Sequence, residues 1–206
     1  MIYNGFRMKH LTSLVLLLFL SPGVNAYIPD TIPEFDTGKP ALGKLLVASE
    51  GIDSGIFWHS VIVITNYGPH GTTGLIINRP SGLQVNEAVP GLVNDDRAGH
   101  LFIGGPVGQS ILSVIFKVKH EQEGSVRIMP DMYLDFGIRD GDANHYFSSD
   151  MEAARIYSGY AGWAAGQLET ELNGGAWYIL NGDPYLLFEA RPDDMWETLI
   201  RKAQGQ

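Results

Sequence analysis

Five histidines follow the first 26 residues, at positions 59, 70, 100, 120 and 145. No two stand four residues apart and none sits in a His-Glu-x-x-His segment, so the paired imidazoles of a zinc site are not set up. Each reads as a surface or strand-end residue. Ser60 follows His59 directly, but strand neighbours point to opposite faces and cannot share a proton. A nucleophile elbow needs Gly-x-Ser-x-Gly, and Ser54-Gly55, Ser81-Gly82 and Ser158-Gly159 all lack the first glycine. No hydrolase triad is expected. The chain has no cysteine, which removes thiol catalysis, Cys-ligated zinc and iron–sulfur centres.

Three further patterns come close to a known chemistry. Asp140-x-Asp142-x-Asn144 has the opening spacing of a calcium loop. Its sixth position is His145 instead of glycine and its twelfth is Met151, with Glu152 one place late, so an exposed acidic turn is expected. Gly104-Gly105-Pro106-Val107-Gly108 is the nearest approach to a phosphate cradle, but it lacks the Walker lysine and reads as a turn permitting close backbone packing. Tyr157, Tyr160 and Trp163 could stack on bases or sugars, yet Arg155 is the one basic residue among them, which favours core aromatics. Glu169, Glu171 and Asp135 are the carboxylates available as a general base for a hydrolytic enzyme, and no spacing pairs them.

These residues are set in a recognisable order of elements. Arg7, Lys9 and His10 precede an apolar run from Leu11 to Leu20, then Ser21-Pro22-Gly23 and small residues up to Ala26. That order predicts a secretory signal peptide over 1–26, cleaved after Ala26, with Met1 and Met8 as alternative starts. The run is about half of the ~20 residues needed to cross a bilayer, and no later segment is long enough either, so no membrane span is expected in the mature chain. Of the 206 residues, 180 remain after removal, which fits one domain. The whole chain carries a net charge of −9. The leader takes two of the fourteen basic residues and no acidic one, leaving twelve against twenty-three and a mature charge of −11. Such a chain repels phosphate backbones, so no nucleic-acid partner is expected.

Residues 27–40 hold Pro29, Pro33 and Pro40 among acidic residues without periodicity, and predict an extended N-terminal arm. Residues 41–206 predict a single domain. Strands are expected at Lys44–Ala48, Ser60–Thr65, Gly74–Asn78, His100–Ile103, Ile111–Phe116, Ser125–Met129, Met132–Phe136, Arg155–Tyr160, Ala176–Leu180 and Tyr185–Phe188. Several are apolar on both faces and belong inside a covered sheet. Turns are expected at Asn66–Gly71 and Asn78–Gly82, and a polar loop with a short helical turn over Arg139–Ser149. Helices are expected at Gln84–Val89, at about Ala164–Asn173, and at the C-terminus, capped by Asp193 or Asp194 and burying Trp196, Leu199, Ile200 and Ala203. Strands outnumber helices without βαβ alternation, so the class is α+β.

Taken together, Gly43-Lys44-Leu45-Leu46-Val47-Ala48, Phe57-Trp58-His59-Ser60-Val61-Ile62, Gly74-Leu75-Ile76-Ile77-Asn78-Arg79-Pro80, Gly104-Gly105-Pro106-Val107 and Tyr160-Ala161-Gly162-Trp163-Ala164-Ala165-Gly166-Gln167-Leu168-Glu169 resemble the YqgE/AlgH family. Glu171-Leu172 and Ala176-Trp177 extend the last block. The resemblance implies an α+β fold with a small closed β-barrel and a branching mixed sheet flanked by helices. It implies no established activity and no cofactor, although some members carry the label of transcriptional regulator. Three features depart from the family: the leader, Ser49-Glu50 where a proline is usual, and the polar stretch between Phe136 and Arg155 where a helix is usual.

The reading that follows is an exported, periplasmic or secreted, non-enzymatic binding or regulatory module with a protein or small-molecule partner. Its expected surface is made of the polar and turn residues of the shared blocks: Asn78, Arg79, Gly104, Gly105, Pro106, Tyr160, Trp163, Gln167 and Glu169. Such element ends are where binding groups usually sit. Each also has a structural reading, in which Arg79 pairs with Glu169 or caps carbonyls, Gln167 satisfies backbone groups and Trp163 fills core. A carboxylate-dependent hydrolase is the alternative, and nucleic-acid binding ranks last.

Overall fold

In a computed structural model of the chain, residues 38–91, 96–139 and 142–205 are described. The leader, the arm up to residue 37, and Asp140 of the calcium-like spacing lie outside the described residues. Strict two-residue alternation builds the sheet. Along β1 (Leu45–Ala48) and the start of β2 (Val61–Gly68), Leu45, Val47, Val61 and Val63 enter one apolar cluster, while Leu46, Ala48, Ile62 and Ile64 enter another on the opposite face. All eight are fully buried, which is why these runs read as apolar throughout.

The remaining strands are β3 (Gly71–Ile76), β4 (Pro80–Gln84), β5 (His100–Ile103), β6 (Val107–Lys117), β7 (Val126–Met129), β8 (Met132–Ile138), β9 (Ala153–Trp163) and β10 (Trp177–Leu180). They form one ten-stranded sheet with a main path β10-β1-β2-β3-β9-β6-β8-β7, from which β5 and β4 branch. Strand β9 is the junction. Its C-terminal end pairs with β3 through Ala161–Trp163, its length pairs with β6, and Tyr157 and Ser158 also pair in parallel with Phe102 and Ile103 of β5. That parallel ladder makes the sheet mixed, and the branching matches the expectation.

The closed barrel does not. The path has free ends at β7 and β10, and no ladder joins them. The sheet curls until its ends abut: a Cβ on Gly43 would strike the Ile128 carbonyl, and one on Gly182 would strike the Gly43 carbonyl and the Met129 side chain. Ile128 and Met129 share a core with Leu45 and Leu180, so the seam is closed by side-chain packing in place of backbone hydrogen bonds.

Helices α1 (Val85–Ala88), α2 (Gln167–Asn173), α3 (Pro184–Phe188) and α4 (Pro192–Ala203) lie against this sheet, with 3₁₀ turns at Asp96–Ala98 and Asp142–Phe147. Two of them correct the sequence reading. The expected strand at Tyr185–Phe188 is helical because Asp183 caps it, its carboxylate accepting from the Tyr185 amide at 2.9 Å, with Pro184 preset at the first helical position. The C-terminal helix begins one turn earlier than Asp194, with Arg191 at the cap position and Pro192 after it. Asp193 and Asp194 lie in its first turn, where they complement the helix dipole. Pro80, expected in a turn, opens β4, an outer strand where a missing amide costs nothing. Among the described residues no helix is long and apolar enough to cross a membrane.

The Gly104-Gly105 turn fixes the branch point. The Ile76 amide donates to the Gly104 carbonyl at 2.9 Å, and the Gly104 amide to the Ser158 carbonyl at 2.8 Å, so this residue bridges β3 and β9. A Cβ on Gly105 would overlap the backbone of Tyr160 and Ala161. Gly105→Ala is therefore expected to lower unfolding stability by at least ~2 kcal/mol in urea titration, since backbone on both sides must move; an unchanged midpoint would mean the approach is looser than described.

Candidate functional site

Helix α2 carries two of the expected site residues, Gln167 and Glu169, and its Glu171 ties Gln167 to a third, Trp163 at the end of β9. The Gln167 carboxamide oxygen accepts from the Ala164 amide at 3.0 Å, and its nitrogen donates to Glu171 Oε1 at 3.0 Å. Glu171 Oε2 then accepts from two indoles, Trp163 Nε1 at 2.9 Å and Trp177 Nε1 at 2.8 Å. Both indoles are nearly fully buried, and Phe57 packs on them with ring centroids 6.4 and 5.9 Å away. Glu169 faces elsewhere and accepts from the Tyr67 hydroxyl at 2.7 Å. Gln167 and Trp163 thus take the structural reading, and Arg79 does not pair with Glu169.

Asn78 and Arg79 instead hold the loop before β2. The buried Asn78 accepts from the Val61 amide and donates to the His59 carbonyl, both at 2.9 Å. Arg79 donates to the Trp58 carbonyl. Between them His59 adopts φ 55°, a left-handed conformation in a turn, whereas the sequence placed it in a strand beside Ser60. Its ring is stacked on both sides, with centroids 3.9 Å from Trp58 and 3.4 Å from Trp196. Burial and the charge of Arg79 lower the His59 pKa against the opposing pull of Glu197. Gly104 and Gly105 serve the branch point already described, Pro106 is exposed beside them, and Tyr160 packs its ring edge-on to the exposed Phe136 at 5.5 Å. The nine expected residues therefore lie in three separate places.

A fourth place emerges that the sequence did not mark. Strand β5 starts against β4 alone, where His100 pairs with Gln84, and meets β9 only at Phe102 and Ile103, Phe102 pairing with both Pro80 of β4 and Tyr157 of β9. In the fork lies a cavity of about 760 Å³, reaching Ala153–Arg155 of β9, the 3₁₀ turns and the end of α3. Phe102, Tyr146 and Phe147 are buried apolar walls, and Met151 and Phe188 complete them. Arg97 and His100, both exposed, stand at its mouth, and Arg97 donates to the Phe147 carbonyl. Arg155 lies in the wall with its guanidinium carbon 4.2 Å from the Phe102 ring centroid and 5.9 Å from that of Phe188. Glu152, also lining, is bridged to Lys117 at 3.0 Å and Lys119 at 3.1 Å, and these lysines hold its carboxyl below the usual range. Behind Arg155, burial pushes the Tyr157 phenol up to about 12 while the guanidinium draws it down. The two groups face each other, yet no hydrogen bond closes on the Tyr157 hydroxyl or Arg155 Nη1. Arg155 is far in sequence from Arg97 and His100. The single available signal was Arg155, a lone cation in an aromatic-rich strand.

Three comparisons place the chain among known proteins. The family model DUF179, described as AlgH-like, matches residues 45–206. A UPF0301 protein of Chlorobium luteolum is 33% identical over 169 residues, covering 81% of this chain and 87% of the relative. A UPF0301 protein of Chlamydia muridarum is 32% identical over 169 residues, covering 80% and 87%. The solution structure of AlgH from Pseudomonas aeruginosa superimposes with TM-score 0.64 at 25% identity, covering 84% of this chain and 94% of that one. Protein DIP2367 of Corynebacterium diphtheriae shares the fold at TM-score 0.68 and 24% identity, over 82% and 90%.

Two outcomes follow from the geometry. Replacing Glu171 by Leu orphans two buried indole donors and is expected to cost about 2–4 kcal/mol in urea unfolding, with Glu171→Gln costing less because it keeps an acceptor. Equal losses in both variants would show that the carboxylate acts through bulk alone. His59 protonates more readily unfolded than folded, so its contribution is complete above the unfolded value of about 6.5 and is lost as pH falls through it. Stability measured from pH 7.5 to 5 should fall less steeply in His59→Asn, a residue that tolerates positive φ, than in the wild type; parallel curves would remove His59 from the titration.

Proposed function

Starting from a chain that belongs to the AlgH-like family, we propose that it is a non-enzymatic binding module whose site is the cavity in the β5/β9 fork, and that it takes a small molecule there. The observation that carries this reading is the cavity itself: about 760 Å³ of mostly apolar concavity, within the range of small-ligand sites, with a few polar groups at its mouth and wall.

A hydrolytic role has less support. Asp135 accepts from the Tyr146 hydroxyl at 2.6 Å, and neither it, Glu169 nor Glu171 lines this cavity. Glu152 does, but its two lysines make it a weak base. The basic run, apolar stretch and small residues before Tyr27 support action outside the cytoplasm, and the net charge of −9 weighs against nucleic acid as the partner.

The test uses N-phenyl-1-naphthylamine, an uncharged fluorescent probe of apolar cavities. Saturable binding of one probe per chain is expected. Ala153→Trp, which fills the cavity from a partly exposed position on β9, should weaken it at least about tenfold at an unchanged melting temperature. Undiminished binding in the folded variant would place the site elsewhere, and no saturable binding by the wild type would overturn the reading.

A further inference from the structure

The cavity wall contains a cation without a counter-ion. A guanidinium carries five N–H donors, and the one protein acceptor within hydrogen-bonding geometry of Arg155 is the Phe188 carbonyl, at 3.4 Å. Its other neighbours are the Phe102 and Phe188 rings and the Tyr157 hydroxyl, a neutral group that it draws down in pKa but that brings no charge to balance it. Among the described residues no carboxylate reaches it: the acidic residue in the same wall, Glu152, is taken by Lys117 and Lys119. A partly buried charge left this way is costly unless something pairs with it. A second cation, Arg97, lines the same space. Apart from His100, the rest of the lining is mainly apolar and aromatic, which suits the body of an amphiphile and not a bare inorganic ion.

We infer that the cavity is specific for an organic anion, an oxyanion on an apolar body, with the acid group pairing with Arg155 and the body against Phe102, Phe147 and Phe188. This rests on the proposed binding role and adds charge selectivity to it. A guanidinium already stacked between rings is oriented before the ligand arrives, so little side-chain freedom is lost on pairing. The acid group of a carboxylate and that of a phosphate both fit a planar fork of N–H donors.

The experiment compares two probes with nearly the same aromatic body, 8-anilinonaphthalene-1-sulfonate and uncharged N-phenyl-1-naphthylamine, on the full mature chain. The sulfonate is expected to bind at least about ten times more tightly, and 0.5 M salt should erase most of that margin. Arg155→Met should weaken the sulfonate about tenfold or more and leave the uncharged probe within about twofold; Arg155→Lys should fall between. Equal affinities of the two probes for the wild type would overturn the inference even if Arg155→Met fails to fold. That result leaves the cavity reading standing, whereas Ala153→Trp failing to affect either probe would remove the cavity reading itself. Octanoate and octyl phosphate then separate the acid groups: displacement of the sulfonate by either, and not by octanol, supports an anion site, and displacement by neither contradicts it.

Discussion

The close approach of Gly104 and Gly105 to the backbone of Gly159 and Tyr160 is the contact on which the rest of the structure turns. Side chains at these positions would hold β5 away from β9. Without them Gly104 bonds to Ile76 on one side and Ser158 on the other, and a single strand serves three partners. The sheet can then curl around one core while β4 and β5 peel off to cover a second.

The branch also creates the cavity. Because β5 meets β9 only through its last two residues, Phe102 and Ile103, the stretch Ala153–Arg155 has β6 on one edge and, among the described residues, no strand on the other. The space is walled by the 3₁₀ turns and α3, and Arg155 is carried into it by strand geometry. Here the backbone requirement of the fold and the chemistry of the site have one origin: the fork that glycine packing permits holds the cation that lacks a partner.

Much of the fold was legible in the sequence because period-two burial is a local signal. Leu45–Ala48, Val61–Ile64 and Val114–Phe116 carry it plainly, and each lies in a strand. What escaped were features decided by single caps or by distant packing. Asp183 and Pro184 turned an apolar run into α3, and the seam between β7 and β10 depends on Gly43 meeting Ile128. The family's shared polar residues were legible as special, but sequence does not distinguish a binding group from one that fastens a loop. Asn78, Arg79 and Gln167 proved to be fasteners. Arg155 carried no spacing signal toward Arg97 and His100, because strand pairing brings it to them from more than fifty residues along the chain.

The most direct test of a ligand site in the β5/β9 fork is a residue-resolved ¹H–¹⁵N spectrum of the mature chain titrated with octanoate. The account predicts progressive shifts confined to the amides of Ala98–Phe102, Tyr146 and Phe147, Ala153–Arg155 and Phe188. Shifts centred instead on Trp58 and His59, or on Trp163 through Glu171, with the fork unmoved, would contradict it.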